Sequence, residues 1–212
     1  MRRTLAALAA TVVLCAPVAA RAADACLDAL AALDVPHRTG PKTKGIVQPI
    51  EVTGTLGGVV WRTWGTRALV LDCSLVEALA RAGRYFVEAG VTEVFYSSAH
   101  QRRNIRGTSR PSSHSYGLAI DAHWFRGPTF EKLTVEDDWE QGLGDGYDCL
   151  GQPLTGGGGA LRTVFCRMDR SGTFKHILTP DYDPDHHNHF HIEVRPWGER
   201  TDLSVAPGLR PH

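Results

Sequence analysis

The most regular alternation of hydrophobic and polar positions lies between residues 72 and 90, in DCSLVEALARAGRYFVEAG. Its apolar residues repeat every three or four positions, as Leu75, Leu79, Ala82 and Phe86. Such a stripe is typical of a helix that buries one face in a core. Asp72 or Ser74 can cap its first turn, and Glu77 completes a capping box with Ser74. We therefore predict a core helix here, and a shorter helix over DACLDALAAL, residues 24–33.

Period-two alternation and β-branched runs predict the strands. The three clearest candidates are VTEVFYSS (91–98), YGLAIDAHWF (116–125) and HFHIEVRP (189–196). Residues 38–65 carry shorter runs broken by Gly and Pro, which indicate short strands and hairpins. RTVFCRM (162–168) and FKHILTP (174–180) fit either a helix or a strand.

The segment from 127 to 160 is acidic and rich in glycine. GGGGA at 156–160 cannot hold a rigid strand, so we expect a surface insertion or flap. Together these patterns predict an α+β fold, with a small antiparallel sheet flanked by helices and an irregular flap. No repeat or linker divides the chain, so residues 23–212 are expected to form a single domain.

The first 22 residues have the features of a cleaved secretory signal. Arg2 and Arg3 precede an apolar stretch from Leu5 to Val18, and Ala20-Arg21-Ala22 is a small-x-small cleavage site. A membrane anchor is the alternative, but the apolar stretch is shorter than the roughly 20 residues that a spanning helix needs. We expect export to the periplasm or the exterior, without stable membrane insertion after cleavage.

Charge and cysteine content change with that cleavage. It removes three arginines, no acidic residue and one cysteine, which leaves a formal charge of −3 and no basic footprint for nucleic acid. Cys26, Cys73, Cys149 and Cys166 remain, and two disulfides are expected in an exported protein, with free thiols as the alternative. Three pairings are open; we favour Cys26–Cys73 and Cys149–Cys166, because each pair lies within one half of the chain. Lipid attachment at Cys26 is less favoured, because ADAC lacks the bulky residue of a lipid-attachment box.

Four of the ten histidines lie within six residues, in HHNHFH at 186–191. On a strand, His189 and His191 share a face while Phe190 points to the core. His114 and Asp121, seven residues apart, can join one histidine of this pair in a set of three ligands. Three His or carboxylate ligands with an open position are typical of catalytic zinc, although other first-row ions accept the same donors. A remaining histidine is then free for proton transfer.

These residues carry a family resemblance. HSYGLAID resembles the HxxGxAxD motif, and HFH the HxH motif, of the LAS metallopeptidases, the group of lysostaphin, D-Ala-D-Ala metallopeptidases and sonic hedgehog. More closely, the chain resembles the extensin-like C-terminal family of exported bacterial proteins. That resemblance runs through CLDALAALDV, RNIRG, SSHSYGLAIDAHWF, FCRM and HHNHFHIEV. It implies a LAS/hedgehog-like fold with one Zn²⁺ per chain, and its implied ligands are His114, Asp121 and His191.

The resemblance also implies roles for residues around the ligands. His189 would act in proton transfer, helped by His186, and Arg103 or Arg102 would polarise the substrate carbonyl, with Arg103 favoured. Where carboxypeptidases of the LAS group have a glutamate base, this chain has Asn188, so a glutamate mechanism is not expected.

The remaining residues of the predicted site are assigned to substrate contact or to support. We expect Arg102, Arg106 and Ser113 to contact substrate. His123 either supports the site or is simply buried, and Glu193 shares the strand face of His191, where it can fix the tautomer of that ligand.

The expected function is that of an exported zinc peptidase, a monomer that cuts peptide amides in peptidoglycan. The alternative is a non-catalytic module in which zinc organises a surface that binds the cell wall or a protein. A zinc-free hydrolase using Ser112 or Ser113 is disfavoured, since the chain has no G-x-S-x-G nucleophile elbow.

Overall fold

The computed structural model describes residues 18–143 and 149–199. Its helices are α1 (Val18–Ala32), α2 (Cys73–Glu88), α3 (Val135–Asp138) and α4 (Gly156–Arg170). Its strands are β1 (His37–Thr39), β2 (Pro49–Val52), β3 (Val60–Arg62), β4 (Leu69–Asp72), β5 (Glu93–Ser98), β6 (Ala119–Gly127), β7 (Phe130–Thr134), β8 (His176–Leu178) and β9 (Phe190–Glu193). Helices and antiparallel sheets occur together, so the predicted α+β class is confirmed.

Two sheets form among the described residues. Strands β1, β2 and β4 make an antiparallel three-stranded sheet. The larger sheet has the order β3-β5-β6-β9-β8. Strand β6 pairs with β9 through residues 119–122 and with β7 through residues 124–127. Its strands are antiparallel except for the parallel pair β3 and β5, which the sequence analysis did not predict. All three clear strand predictions are realised, as β5, β6 and β9.

The predicted core helix is α2, and each residue of its predicted stripe is at most 1% exposed. The Asp72 side chain caps it by accepting a hydrogen bond from the Ser74 backbone N–H at 3.0 Å. At the other end of the helix, the Phe86 ring lies 6.3 Å from the ring of Phe125 on β6. Phe125 in turn lies 5.9 Å from Phe190 on β9. This aromatic chain packs α2 against the strands that carry the predicted ligands.

The N-terminal helix α1 includes residues 24–32 of the predicted 24–33 helix, but it begins earlier, at Val18. It therefore spans the predicted cleavage site after Ala22, while residues 1–17 of the predicted signal lie outside the described part of the chain. Within residues 18–143 and 149–199, no helix has both the length and the hydropathy needed to cross a bilayer.

Two disulfides form, with the favoured pairing. Cys26–Cys73 joins α1 to the first residue of α2, and Cys149–Cys166 ties the chain before α4 to the middle of that helix. The predicted pairing is therefore confirmed, with sequence separations of 47 and 17 residues.

The prediction of an irregular flap over residues 127–160 is wrong for the parts of that segment that form regular elements or enter the core. It contains β7, α3 and the first turn of α4. Leu133, Val135, Trp139 and Leu143 are buried in the core. Residues 144–148 of the segment lie outside the described residues.

The GGGGA run begins a helix because a carboxylate lies against it. The Glu140 side chain accepts hydrogen bonds from the backbone N–H groups of Leu154 (2.6 Å) and Thr155 (2.8 Å), just before α4 starts. A Cβ on Gly158 would collide with this carboxylate. Glycine therefore lets an acidic side chain approach the positive end of a helix, a contact that local pattern reading does not predict.

Candidate metal centre

The register of β6 and β9 brings two predicted ligands together. Asp121 pairs directly with His191, while the neighbouring pair Ile120 and Ile192 is buried on the opposite face. Since side chains alternate along a strand, the hydrophobic pairs hold one face of the sheet in the core and leave the two polar side chains on the other.

His114 reaches the same point from a short 3-10 helix, Ser113–Tyr116. Gly117 ends this helix at φ +66°, and a Cβ there would meet the Ile46 side chain and the Asp72 backbone, so glycine is required. His114 is fully buried, and its Nδ1 donates a hydrogen bond to the Ala99 carbonyl at 2.7 Å. That bond leaves Nε2 as the free ring nitrogen, directed at Asp121 and His191.

The three side chains converge on one point. His114 Nε2 lies 3.1 Å from Asp121 Oδ1 and 3.3 Å from His191 Nδ1, and His191 Nδ1 lies 2.9 Å from Asp121 Oδ1. Tetrahedral ligands at about 2.0–2.1 Å from zinc stand about 3.3 Å apart, so these separations fit such an ion. The His114, Asp121 and His191 cluster could thus hold a metal ion, as predicted, while its donor types leave the identity of the metal open.

Outer contacts fix the orientation of His191. Its Nε2 lies 3.4 Å from Glu193 Oε2, as the shared strand face predicts. Lys175 donates to Glu193 Oε1 at 2.5 Å, and the Ser113 hydroxyl also donates to this carboxylate. When Nε2–H of His191 donates a hydrogen bond to Glu193, Nδ1 is unprotonated and its lone pair faces the metal position.

Electrostatics at this point favour a cation. Burial alone would raise the pKa of Asp121, yet its hydrogen bonds with His114 and His191 hold that pKa far below its usual value. Burial would lower the pKa of His191, but its hydrogen bonds with Asp121 and Glu193 raise that pKa to about 9. Two buried carboxylates therefore stabilise positive charge at the position where a metal ion would sit.

Two further histidines lie beside the ligands without joining them. His189 Nε2 is 3.7 Å from Asp121 Oδ1, and the His189 ring lies 5.2 Å from that of His186. His186 Nδ1 is 2.6 Å from Asp183 Oδ1, which also caps the 3-10 helix that His186 ends. Burial lowers the pKa of His189 to about 4, so its imidazole is neutral near pH 7.

Only the last two residues of the histidine run, Phe190 and His191, lie on a strand. β9 begins at Phe190, and Pro184–His186 form a 3-10 helix, so a turn aims His186 and His189 at the ligands. Phe190 is buried, as predicted, and His187 is exposed.

His123 lies next to His189 because strands β5 and β6 both bulge at this position. Phe95 pairs with Trp124 and Tyr96 with Ala122, which leaves His123 as an extra residue of β6. Across the strand pair Ser97 is the extra residue of β5, and its hydroxyl lies 2.7 Å from His123 Nε2. The His123 ring stacks on His189 with centroids 5.1 Å apart, which favours the supporting role over simple burial.

Residues 102–110 form a basic loop with four arginines, and Arg103 is the one that reaches the candidate ligands. Arg103 lies 3.4 Å from Asp121 Oδ2, and its backbone N–H donates to Ser115 Oγ at 2.9 Å. Arg106 instead pairs with Asp185 at 2.6 Å, which ties the loop to the histidine-rich turn. Arg102 is exposed, and no described contact joins it to the ligands. The substrate-binding roles of Arg102, Arg106 and Ser113 stay predictions.

Several residues of this network were not identified from the sequence. Lys175 meets Glu193 because β8 pairs with β9, a contact without a local signal. Asp183 does have a local sequence signal. It stands just before Pro184 and three residues before His186, a position where an aspartate that caps a helix is favoured.

A family model described as the C-terminus of extensin-like protein matches residues 24–202, which include every candidate ligand and all four cysteines of the disulfides. No curated protein and no solved structure matches the chain.

Proposed function

This chain belongs to the extensin-like C-terminal family, and we propose that it is an exported, zinc-dependent peptidase that hydrolyses peptide amide bonds in bacterial peptidoglycan. The family description names no reaction, so the proposal depends on the site and on the likeness of HSYGLAID and HFH to the LAS motifs. The LAS/hedgehog-like fold belongs to the same proposal. Two disulfides support export.

One observation carries the proposal. His114, Asp121 and His191 direct three donor atoms at one point, while His186 and His189 stand beside that point without serving as ligands. Three protein ligands leave a coordination position open, which is the arrangement of catalytic rather than structural zinc. A site that only holds a metal has no need of the two additional histidines.

Bound zinc would act as a Lewis acid and lower the pKa of a water molecule in the site from 15.7 to about 7. The side chains supply proton transfer. Asn188 Oδ1 lies 2.9 Å from His189 Nδ1 and accepts its proton, so Nε2 carries the lone pair toward the ligands. His189 Nε2 would accept a proton from the attacking water and return it to the leaving amine. His186, oriented by Asp183, would assist it.

Arg103 would stabilise the developing oxyanion. Its guanidinium lies beside Asp121, and nearly half of its side chain is exposed, so a substrate carbonyl can approach it. Donors of this kind are worth roughly 3 kcal/mol of transition-state stabilisation. Arg102 and Arg106 would contact the rest of the peptide.

A zinc-organised binding module is the second candidate function. The observation that favours it is Asn188, which stands where carboxypeptidases of the LAS group have a glutamate base and which accepts a hydrogen bond from His189. This alternative keeps all three ligands and needs no turnover.

Digestion of purified peptidoglycan by the zinc-loaded mature protein, with products read by mass spectrometry, separates the two functions. We expect release of peptide fragments, loss of release in His189→Ala with zinc content unchanged, and normal release in His187→Ala. His187 is a matched control, because it is an exposed histidine of the same turn. A wild-type protein that binds zinc but releases nothing across several wall types supports the binding module.

A further inference from the structure

A cavity of about 460 Å³ lies against the candidate metal centre and is not used by the proposed chemistry. It opens where β3 ends and no longer covers β5, between the segment that carries Arg67 and the end of β5 at Ser97 and Ser98. A second cavity of about 590 Å³ lies at the other end of β5 and β6, beside Glu93 and Arg126. Those two residues pair with each other at 3.7 Å, so the charges beside the second cavity compensate each other.

The wall of the first cavity holds a metal ligand directly. Three of its lining residues contact His114. The Ala99 carbonyl accepts from His114 Nδ1 at 2.7 Å, Ser98 Oγ lies 3.4 Å from the same nitrogen, and the Gln101 N–H donates to the His114 carbonyl at 3.1 Å. A single imidazole ring therefore separates this wall from the metal-facing nitrogen.

The charge of the cavity has one sign. Arg67 is the charged side chain among its lining residues, none of which is Asp or Glu, and the others include hydroxyl groups such as Ser97 and Ser98. Within the described part of the chain, Arg67 has no acidic partner within 4 Å, unlike Arg38, Arg62 and Arg106. A guanidinium without a competing acid is suited to bind a carboxylate.

We propose that this cavity binds the C-terminal carboxylate of the peptide substrate, with Arg67 as the residue that selects it. The inference rests on the proposed function for the nature of the substrate, whereas the preference for a carboxylate rests on the cavity itself. Binding there would place the chain end beside His114 and the preceding amide near the centre. Arg67 is a binding residue that the sequence motifs do not include.

Isothermal titration of zinc-loaded His189→Ala protein tests the cavity without turnover. The probe is a synthetic stem pentapeptide ending in D-Ala-D-Ala, used as the free acid and as the C-terminal amide. We expect the acid to bind about tenfold more tightly than the amide, because a charge-assisted hydrogen bond is lost in the amide. Adding Arg67→Gln should remove this preference. Arg84→Gln, an equal charge change on α2 away from the cavity, should keep it.

Three results would overturn the cavity assignment: equal affinity for acid and amide, an unchanged preference in Arg67→Gln, or binding of neither probe. Peptidoglycan digestion by the wild-type protein, measured alongside, keeps this assignment separate from the proposed function. Digestion without Arg67-dependent binding rejects the cavity alone. Arg67-dependent binding without digestion supports the cavity and rejects hydrolysis.

Discussion

Ser97 Oγ and His123 Nε2 lie 2.7 Å apart, and each belongs to the residue that bulges from its strand. The two bulges face each other across β5 and β6, next to the strand position of Asp121. They turn His123 toward His189, whose ring it stacks on at 5.1 Å. The irregularity of the sheet thus places a support behind the proposed proton-transfer histidine.

Replacing His123 tests this support. We expect His123→Ala to lower kcat in the peptidoglycan assay by about tenfold, at unchanged zinc content, because His189 loses its stacking partner and its orientation. His123→Phe keeps a ring against His189 and should recover part of that loss. A kcat equal to wild type in His123→Ala would show that the stacked ring does not position His189.

Glu193→Gln tests the carboxylate behind His191. The variant removes the charge that accepts from His191 and pairs with Lys175, so zinc affinity should fall by about 10–100-fold. Competition with a chromophoric chelator measures the affinity. Glu131→Gln, an exposed carboxylate on β7, is the control and should bind zinc as the wild type does. Unchanged affinity in a folded Glu193→Gln protein would contradict the role of this residue.

Metal removal should lower thermal stability. A ligand at 100 times its Kd stabilises the folded state by about 2.7 kcal/mol, which corresponds to roughly 5–10 °C in Tm for a chain of this size. Calorimetry with zinc and with a chelator measures the shift, and Asp121→Asn should largely abolish it. A full shift in Asp121→Asn would place the zinc elsewhere.

Two glycines of the GGGGA run should respond in opposite ways to alanine. Gly158→Ala forces a Cβ into the Glu140 carboxylate and should lower the free energy of unfolding by about 1–3 kcal/mol. Gly156→Ala meets no atom within 4 Å and should raise it by about 0.4–1 kcal/mol, because the unfolded chain loses freedom. Urea unfolding of both variants gives the comparison. Equal effects would mean that Glu140 does not hold the helix start.

The two disulfides should differ in what they contribute to stability. Their sequence separations are 47 residues for Cys26–Cys73 and 17 for Cys149–Cys166. In the chain-entropy description, the longer loop gives roughly 1 kcal/mol more stabilisation. We therefore expect the double variant Cys26→Ala, Cys73→Ala to be less stable than the double variant Cys149→Ala, Cys166→Ala. Urea unfolding measures the stability of each. The reverse order would show that native contacts, and not loop closure, decide the difference.

The fold was predictable where local pattern and tertiary environment agree. The stripe of α2 needs only the helical period, and the alternation of β9 places Phe190 in the core and His191 on the opposite face. Spacing identified His114, Asp121 and one histidine of the pair His189 and His191 as candidate ligands. The resemblance of HFH to the LAS motif then selected His191, which lies in the three-residue cluster. The parallel pairing of β3 with β5 carries no comparable local signal.

The sequence by itself determined helix α2, strands β5, β6 and β9 and the types of the candidate ligands, because these follow from periodicity and from the chemistry of adjacent residues. Tertiary structure decided which residues surround the ligands. Lys175 reaches Glu193 through strand pairing, and Glu140 makes a helix start out of the glycine run that local reading assigned to a flap. The cavity beside His114 exists because β3 ends before β5 does. Such contacts join residues far apart in the chain, and only folding brings them within hydrogen-bonding distance.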